Sequence, residues 1–384
     1  MNSVEFVPLK KAAEDPTSRI ARPVERQDRS PTGAAFAING RFYGQPVTGV
    51  QRYAREIVSE MDSLLGEGAG RGTLVLPPGA EGPGLAAIAP LATGGASGHA
   101  WEQTILPFRA KPPLLNLCNT GPVAVRRQIV CMHDTNVFDE PDSYSLAFRL
   151  VYRLLLPGLA RRAAVITSVS QTSAQRLSHH LGIPAGTITV VPNGHEHTSR
   201  WNGAASDLGQ RLRDIRPFLL LLGSQAKHKN AAFILKQAPA LDAMGLDLVV
   251  AGGSAQIFAQ MQAVEATNIH RLGYVSDDDL AWLYAHALCL AFPSLSEGFG
   301  IPIVEAMALG CPVVSSDRSC MPEICGDAAL LADPEESEAW LACFRRLAAS
   351  PSLQDDLRGR GRERVGHFSW RASARTYLDL LNRL

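Results

Sequence analysis

Short apolar runs alternate with longer stretches of helical period along most of the chain. AAFAIN, TLVLP, LLNL, QIVCM, AAVITSVS and TITVVPNG come first. A polar, irregular stretch follows, HTSRWNGAASDLGQRLRDIRP, and the pattern then restarts with RPFLLLLGS, LDLVVAGG, NIHRLGYV, ALCLAFPS, CPVVSSD and AALLADP. Runs of this length with helices between them are the signature of parallel strands joined by helical crossovers. The pattern predicts two α/β units with a boundary near residue 200. Three more helices are expected after the last run, in PEESEAWLACFRRLAAS, PSLQDDLRGRGRERVGHF and SWRASARTYLDLLNRL, whose starts carry Pro or Ser at capping positions.

Length agrees with two units, since 384 residues exceed what a single core usually serves. Lysine plus arginine number 37 and aspartate plus glutamate 37, a balance that argues against a general nucleic-acid binder. The first 32 residues mix both charges without an apolar core, so they read as a mobile tail and not as a secretory signal. No apolar run reaches the roughly 18 residues needed to span a bilayer; the longest, around Leu154 and Phe218, are broken by Pro157 and end at Gly223. A soluble or peripheral cytoplasmic protein is expected. The seven cysteines form no CxxC pair and most sit inside apolar runs, where a reduced thiol acts as a small hydrophobe. A Cys320/Cys325 redox pair is the alternative.

In open α/β sheets the ligand lies beyond the carboxyl ends of the strands, so two such units facing each other place a site in the cleft between them. SLSEGFGIPIVEAMALGCPVV, residues 294–314, is the stretch richest in chemistry. A strand ending near Phe292 leads through a loop into a helix from about Ile301, with Pro302 in its first turn and Gly310 as its stop. Glu297 falls on the loop. Gly298 and Gly300 allow a close backbone approach to a ligand, and the helix start offers free N–H groups to an anion. Glu305 lies about one turn into the helix, where a carboxylate can accept from two vicinal hydroxyls. The alternative is structural: Glu305 complements the helix dipole and Glu297 is a solvated loop residue.

Residues 273–334, GYVSDDDLAWLYAHALCLAFPSLSEGFGIPIVEAMALGCPVVSSDRSCMPEICGDAALLADP, resemble the signature block of the retaining, nucleotide-sugar-dependent glycosyltransferases, whose hallmark is two glutamates separated by seven residues. INGRFYGQPVTGVQRYAREI, HDTNVF, SVSQTSAQRL and VVPNG resemble the same family's N-terminal half. The resemblance implies the GT-B fold, two Rossmann-like domains facing each other across a cleft. The expected organisation is a tail over 1–32, an acceptor domain over 33–200, a donor domain over 201–370, and a C-terminal helix over 371–384 that packs back on the N-terminal domain. It further implies that Glu305 binds the donor ribose and Glu297 the donor sugar hydroxyls, with Gly298, Phe299 and Gly300 lining that pocket. The implied reaction moves a hexose, mannose from GDP-mannose being the best match, to a hydroxyl of a glycan or lipid-linked glycan in surface polysaccharide synthesis. A catalytically silent nucleotide-binding partner of another transferase, or a nucleotide-sugar epimerase, is the alternative.

Other motifs complete the expected site. GSQAKHKN, residues 223–230, puts Lys227, His228 and Lys229 where a leaving diphosphate needs positive charge. Lys229 and Asn230 match the family's lysine and its neighbour, whereas the family's arginine is missing; Ser224 and His228 stand where it would be sought, and Lys227 is its substitute. A solvated helix start capped by Asn230 is the plain reading. PVTGVQRYA puts Gly49 at a helix N-terminus aimed at phosphate or acceptor, with Gln51 and Arg52 toward the acceptor; an ordinary helix start is the alternative. QIVCMHDTNVF ends a strand with His133, which by resemblance lies near the anomeric carbon, and Asp134, a polar contact on the acceptor side. A buried histidine bonded to backbone is the competing reading.

SDDDL reads as a helix start of capping-box type and not as a metal site. His195 and His197 alone do not make a metal site either. No metal and no cofactor is expected. LAFRLVYRLLLPGLARRA, residues 146–163, sets Arg149, Arg153, Arg161 and Arg162 among leucines, which suits either an anionic inner membrane surface or a core helix with a solvated basic face.

Overall fold

The computed structural model describes residues 35–66, 72–224, 226–252 and 266–384; the stretch read as a tail lies outside them. Two sheets, parallel at every pairing, carry the fold. The first runs β3-β2-β1-β4-β5-β6-β7, with β1 at Phe36–Asn39, β2 at Gly72–Leu76, β3 at Ile88–Ala92, β4 at Leu114–Asn116, β5 at Gln128–Cys131, β6 at Val165–Ser168 and β7 at Ile188–Val190. The second runs β10-β9-β8-β11-β12-β13, with β8 at Phe218–Leu222, β9 at Asp247–Ala251, β10 at Ile269–Gly273, β11 at Cys289–Phe292, β12 at Val313–Ser316 and β13 at Leu330–Ala332.

Burial follows position in the sheet. The inner strands FAIN, QIVC and CLAF are buried at every residue, as expected where helices cover both faces. IAPLA of β3 is largely exposed. That edge strand is absent from the expected set because Pro90 and a mostly exposed surface give it no continuous apolar run; an edge is where a strand tolerates proline.

In each sheet the strand order reverses once, between β1 and β4 and between β8 and β11. At such a reversal the following loops diverge and open a crevice beyond the strand ends. Residues 41–52 and 117–120 follow the first reversal; Lys229 and Glu297 follow the second. The stretch between the sheets is tucked in, not free. It forms short turns over Glu196–Arg200 and Gly203–Ala205 and a helical turn at Leu208–Arg211, Leu208 is fully buried, and Asn202 N donates to Asp278 Oδ1 at 2.7 Å.

The last helix, Trp370–Arg383, returns to lie along Gly49–Gly66. Tyr377 and Tyr53 hydroxyls meet there at 2.8 Å, and Tyr377 reaches Thr167 Oγ1 at 2.9 Å. The two halves also join through Glu323, whose carboxylate accepts from Gln171 N at 2.8 Å and Thr172 N at 2.9 Å. A carboxylate there caps the N-terminus of helix Gln171–Leu181, where orphan N–H groups and the helix dipole both favour negative charge.

Candidate functional site

Lys229 and Glu297 project from the loops after β8 and β11, adjacent parallel strands in register at Leu220 and Leu290. The ammonium lies 2.6 Å from Oε1 and 2.7 Å from Oε2 of Glu297. Glu297 is buried while Lys229 is about one-third exposed, so the pair has the carboxylate fixed inside and the cation at the mouth. Ser319 holds the glutamate backbone from both ends: its hydroxyl donates to Glu297 O at 3.0 Å and lies 3.3 Å from Glu297 N. Ser319 does so in the left-handed region, φ 55°, a strained choice for a residue with a Cβ.

Behind Glu297 the two halves touch. Gly298 fits only as glycine, since a Cβ there would stand 2.4 Å from His133 O, and its own carbonyl accepts from Ser170 Oγ at 2.7 Å and Ser173 Oγ at 3.0 Å. Gly300, at φ 88°, turns the chain into helix Ile301–Ala308; this left-handed step suits glycine. The Phe299 ring is buried against Phe368, centroids 5.3 Å apart.

Glu305 is held by residues distant in sequence. His197 Nε2 lies 2.9 Å from Oε1 and the Tyr284 hydroxyl 3.3 Å from Oε2. Trp370 Nε1 lies 2.9 Å from His197 Nδ1. An indole N–H only donates, so Nδ1 must accept, and the ring proton therefore sits on Nε2 and donates to the glutamate. Both carboxylate oxygens retain further lone pairs for hydroxyls.

The loop over Lys227–Lys229 and Asn230 is partly structural. Asn230 adopts φ 53° and its amide donates to Pro334 O at 3.2 Å, which ties the loop to the strand β13 exit. His228 is buried, with Nδ1 3.2 Å from Ser143 Oγ. Burial first, then the charge of Lys229, pulls its pKa below the ordinary 6.5, so it carries no charge at neutral pH and does not replace the missing arginine. Lys227 is exposed on the same turn.

Across the cleft, His133 is buried with Nε2 2.8 Å from Leu117 O and its ring edge-on to Tyr53 at 4.8 Å. Leu117 O can only accept, so Nε2 carries a proton; burial lowers the ring's pKa, but the neighbouring Cys131 outweighs it and holds the ring above the ordinary 6.5. Asp134 Oδ1 accepts from Asn136 N at 2.9 Å. Arg52, expected toward the acceptor, instead makes a two-pronged pair with Asp277 at 2.7 and 3.1 Å and lies over the Trp201 ring. Its planar fork matches a carboxylate presented by helix Asp277–His286. That helix begins with the capping box between Ser276 and Asp279. Gly49 starts its helix with Ile301 close by, at 3.6 Å from where a Cβ would be.

A cavity of about 340 Å³ opens at the β1/β4 reversal, walled by Arg41, Gln51, Asn119, Asp134, Phe148 and Tyr152 among others. Its size is at the low end of small-molecule sites. Arg41 is anchored from below: Glu102, fully buried, lies 3.2 Å from Nε, and Thr120 Oγ1 accepts from Nη2 at 2.9 Å. Tyr144, Phe148 and Tyr152 stack in series at 5.1 and 4.1 Å, giving one wall three parallel aromatic faces.

A sequence model described as Glycosyl transferases group 1 matches residues 209–364, and one described as Glycosyltransferase Family 4 matches residues 117–198. An O-antigen chain mannosyltransferase B of Escherichia coli is 30% identical over 261 residues, 65% of this chain and 68% of that protein. The chain belongs to this glycosyltransferase family. The O-antigen chain mannosyltransferase RfbU of Salmonella typhimurium is 27% identical over 257 residues, again 65% of the chain and 68% of that protein. Among solved structures, a sucrose-phosphate synthase from Thermosynechococcus elongatus superposes with a TM-score of 0.70 at 18% identity, covering 91% of this chain and 98% of that one. The glycosyltransferase thus has the GT-B fold.

Several residues that shape the glycosyltransferase's site escape a reading of the sequence: His197, Trp370 and Tyr284 around Glu305, Ser319 behind Glu297, and the Arg41–Glu102 pair. His197 and Trp370 lie 108 and 65 positions from Glu305 on opposite sides. The only local sign is the pair of histidines in HEH, which makes no metal site and does not by itself name a carboxylate partner.

Proposed function

We propose that the protein transfers a hexose, mannose from GDP-mannose, to a hydroxyl of a glycan or lipid-linked glycan, with the anomeric configuration retained. The observation that carries this reading is the Lys229–Glu297 pair at the reversal of the second sheet, with a part-exposed cation at the mouth and a buried carboxylate inside. When a nucleoside diphosphate sugar enters, the ammonium is in place to turn to the diphosphate, which frees the carboxylate oxygens to accept from sugar hydroxyls. Glu305, held by His197 and Tyr284, faces the ribose. The names of the bacterial relatives support mannose.

Transfer then proceeds on one face. The bond from anomeric carbon to diphosphate oxygen breaks as the acceptor oxygen approaches the same side, and the departing phosphate oxygen takes the acceptor's proton. The protein contributes position and charge: Lys229, with Lys227 nearby, on the developing diphosphate charge, Glu297 and His133 on the sugar, and closure of the cleft against water. The cavity at the first reversal takes the acceptor, with Gln51 and Asp134 on its hydroxyls and the aromatic stack against a ring. Lysine supplies the charge that many transferases draw from a metal, so the reading requires none.

Thermal unfolding with GDP, UDP, dTDP and ADP, each with and without EDTA, tests the donor. A nucleotide at a hundred times its Kd stabilises by about 2.7 kcal/mol, several degrees for a small chain and fewer for a larger one. A shift with GDP alone, unchanged by EDTA, followed by GDP release from GDP-mannose only when glycan is added, is the expected result. Binding without turnover would assign the chain as a silent partner.

A further inference from the structure

We infer that the outward face of helix Leu146–Arg162 seats this protein on an anionic lipid surface. Among the described residues, five of the eight large apolar side chains that stand exposed belong to this one helix, with Leu146, Leu150 and Leu154 at 78%, 63% and 71% exposure. Spaced by four, they form one stripe. Tyr152, Leu156 and Leu159 occupy the opposite face and are buried, so the core already has its apolar side and the outer stripe is surplus to folding. A helix with both faces apolar needs a second apolar partner.

Charge identifies that partner. LAFRLVYRLLLPGLARR carries four arginines and no acidic residue; Arg153, Arg161 and Arg162 are exposed beside the stripe. Leucine with arginine on a solvent face matches the acyl and headgroup layers of an anionic bilayer. A second copy of the chain would bring arginine against arginine. No helix among the described residues is long and apolar enough to cross a membrane, so the helix lies in the plane of the interface.

The same helix is a wall of the cavity at the first reversal, through Phe148, Tyr152 and Leu156. Seating its outer face on lipid sets the cavity beside the headgroup layer, within reach of a glycan anchored by a lipid. This last consequence rests on the proposed transfer reaction; the seating itself does not.

Flotation of the full chain with vesicles tests the inference, using phosphatidylcholine alone and phosphatidylcholine with about 30 mol% phosphatidylglycerol. The protein should float with the anionic vesicles, far less with the neutral ones, and less again as salt rises. Leu150→Asp with Leu154→Asp should weaken binding by roughly tenfold or more, and Arg153→Glu with Arg161→Glu should remove the preference for anionic lipid. Both pairs lie on the surface and should keep the wild-type melting temperature and nucleotide-induced shift, which separates loss of seating from loss of the donor site. Equal binding of wild type and variants, or no binding to either vesicle, overturns the inference. A wild-type dimer that the leucine pair converts to monomer would also overturn it, by assigning the face to a second copy.

Discussion

Removing His197 is the perturbation that most directly tests how Glu305 is held. Its Nε2–H donates to a carboxylate at 2.9 Å in a nearly dry setting, and its Nδ1 accepts from Trp370 at 2.9 Å. A hydrogen bond to a charged group contributes about 1.5–3 kcal/mol, and a buried indole N–H left without an acceptor costs about 1–3 kcal/mol. His197→Ala should therefore lose roughly 3–5 kcal/mol of stability by urea unfolding, cavity included. Glu305 would keep only the 3.3 Å contact from Tyr284 and lose its fixed direction, so the donor KM should rise about tenfold, equivalent to 1.4 kcal/mol, with kcat within about twofold. Trp370→Phe removes the indole donor and keeps an aromatic ring. It should cost about 1 kcal/mol and raise KM only a few-fold. His197→Gln offers an amide donor to Glu305 and a carbonyl to Trp370, and should restore most of the KM. Unchanged donor KM and nucleotide affinity in folded His197→Ala would refute the reasoning, as would a glutamine variant no better than alanine.

Three further outcomes follow from the same geometry. Lys229→Ala should reduce kcat by about a hundredfold or more, because charge on the leaving group is lost where it develops, and should change nucleotide affinity less; steady-state kinetics with nucleotide titration separates the two. Gly298→Ala would drive a methyl to 2.4 Å from His133 O, so the halves must part, with a stability loss of about 1–3 kcal/mol and a fall in turnover; a wild-type melt would contradict the closeness of that contact. Glu102 is fully buried, and although burial pushes its pKa up, the bonds from His99, Thr120 and Asn39 and the charge of Arg41 hold it below the ordinary 4.5. A carboxyl depressed on folding contributes stability that is complete above about pH 4.5 and is lost as pH falls below it. Wild type should therefore lose stability more steeply than Glu102→Gln on acidification from about pH 5 to 3.5, and parallel curves would count against the network.

What the sequence determined by itself was everything encoded in local periodicity and spacing. Continuous apolar runs such as FLLLL and CLAF announced buried parallel strands, since only strands covered on both faces dispense with alternation. Glu297 and Glu305 stood out because their eight-residue separation spans a strand-to-helix loop and one helical turn, and the capping box at Ser276 was legible in five residues. Tertiary structure decided how those groups are paired. Lys229 reaches Glu297 across 68 positions because β8 and β11 lie side by side in the sheet, and the His197 that holds Glu305 meets Trp370 because the last helix returns along Gly49–Gly66. It also turned Phe299 into the core, gave Asn230 to Pro334 and gave Arg52 to Asp277. A residue's type limits the bonds it can make; which partner it takes depends on what the folded chain brings within about 3 Å, and no local pattern carries that distance.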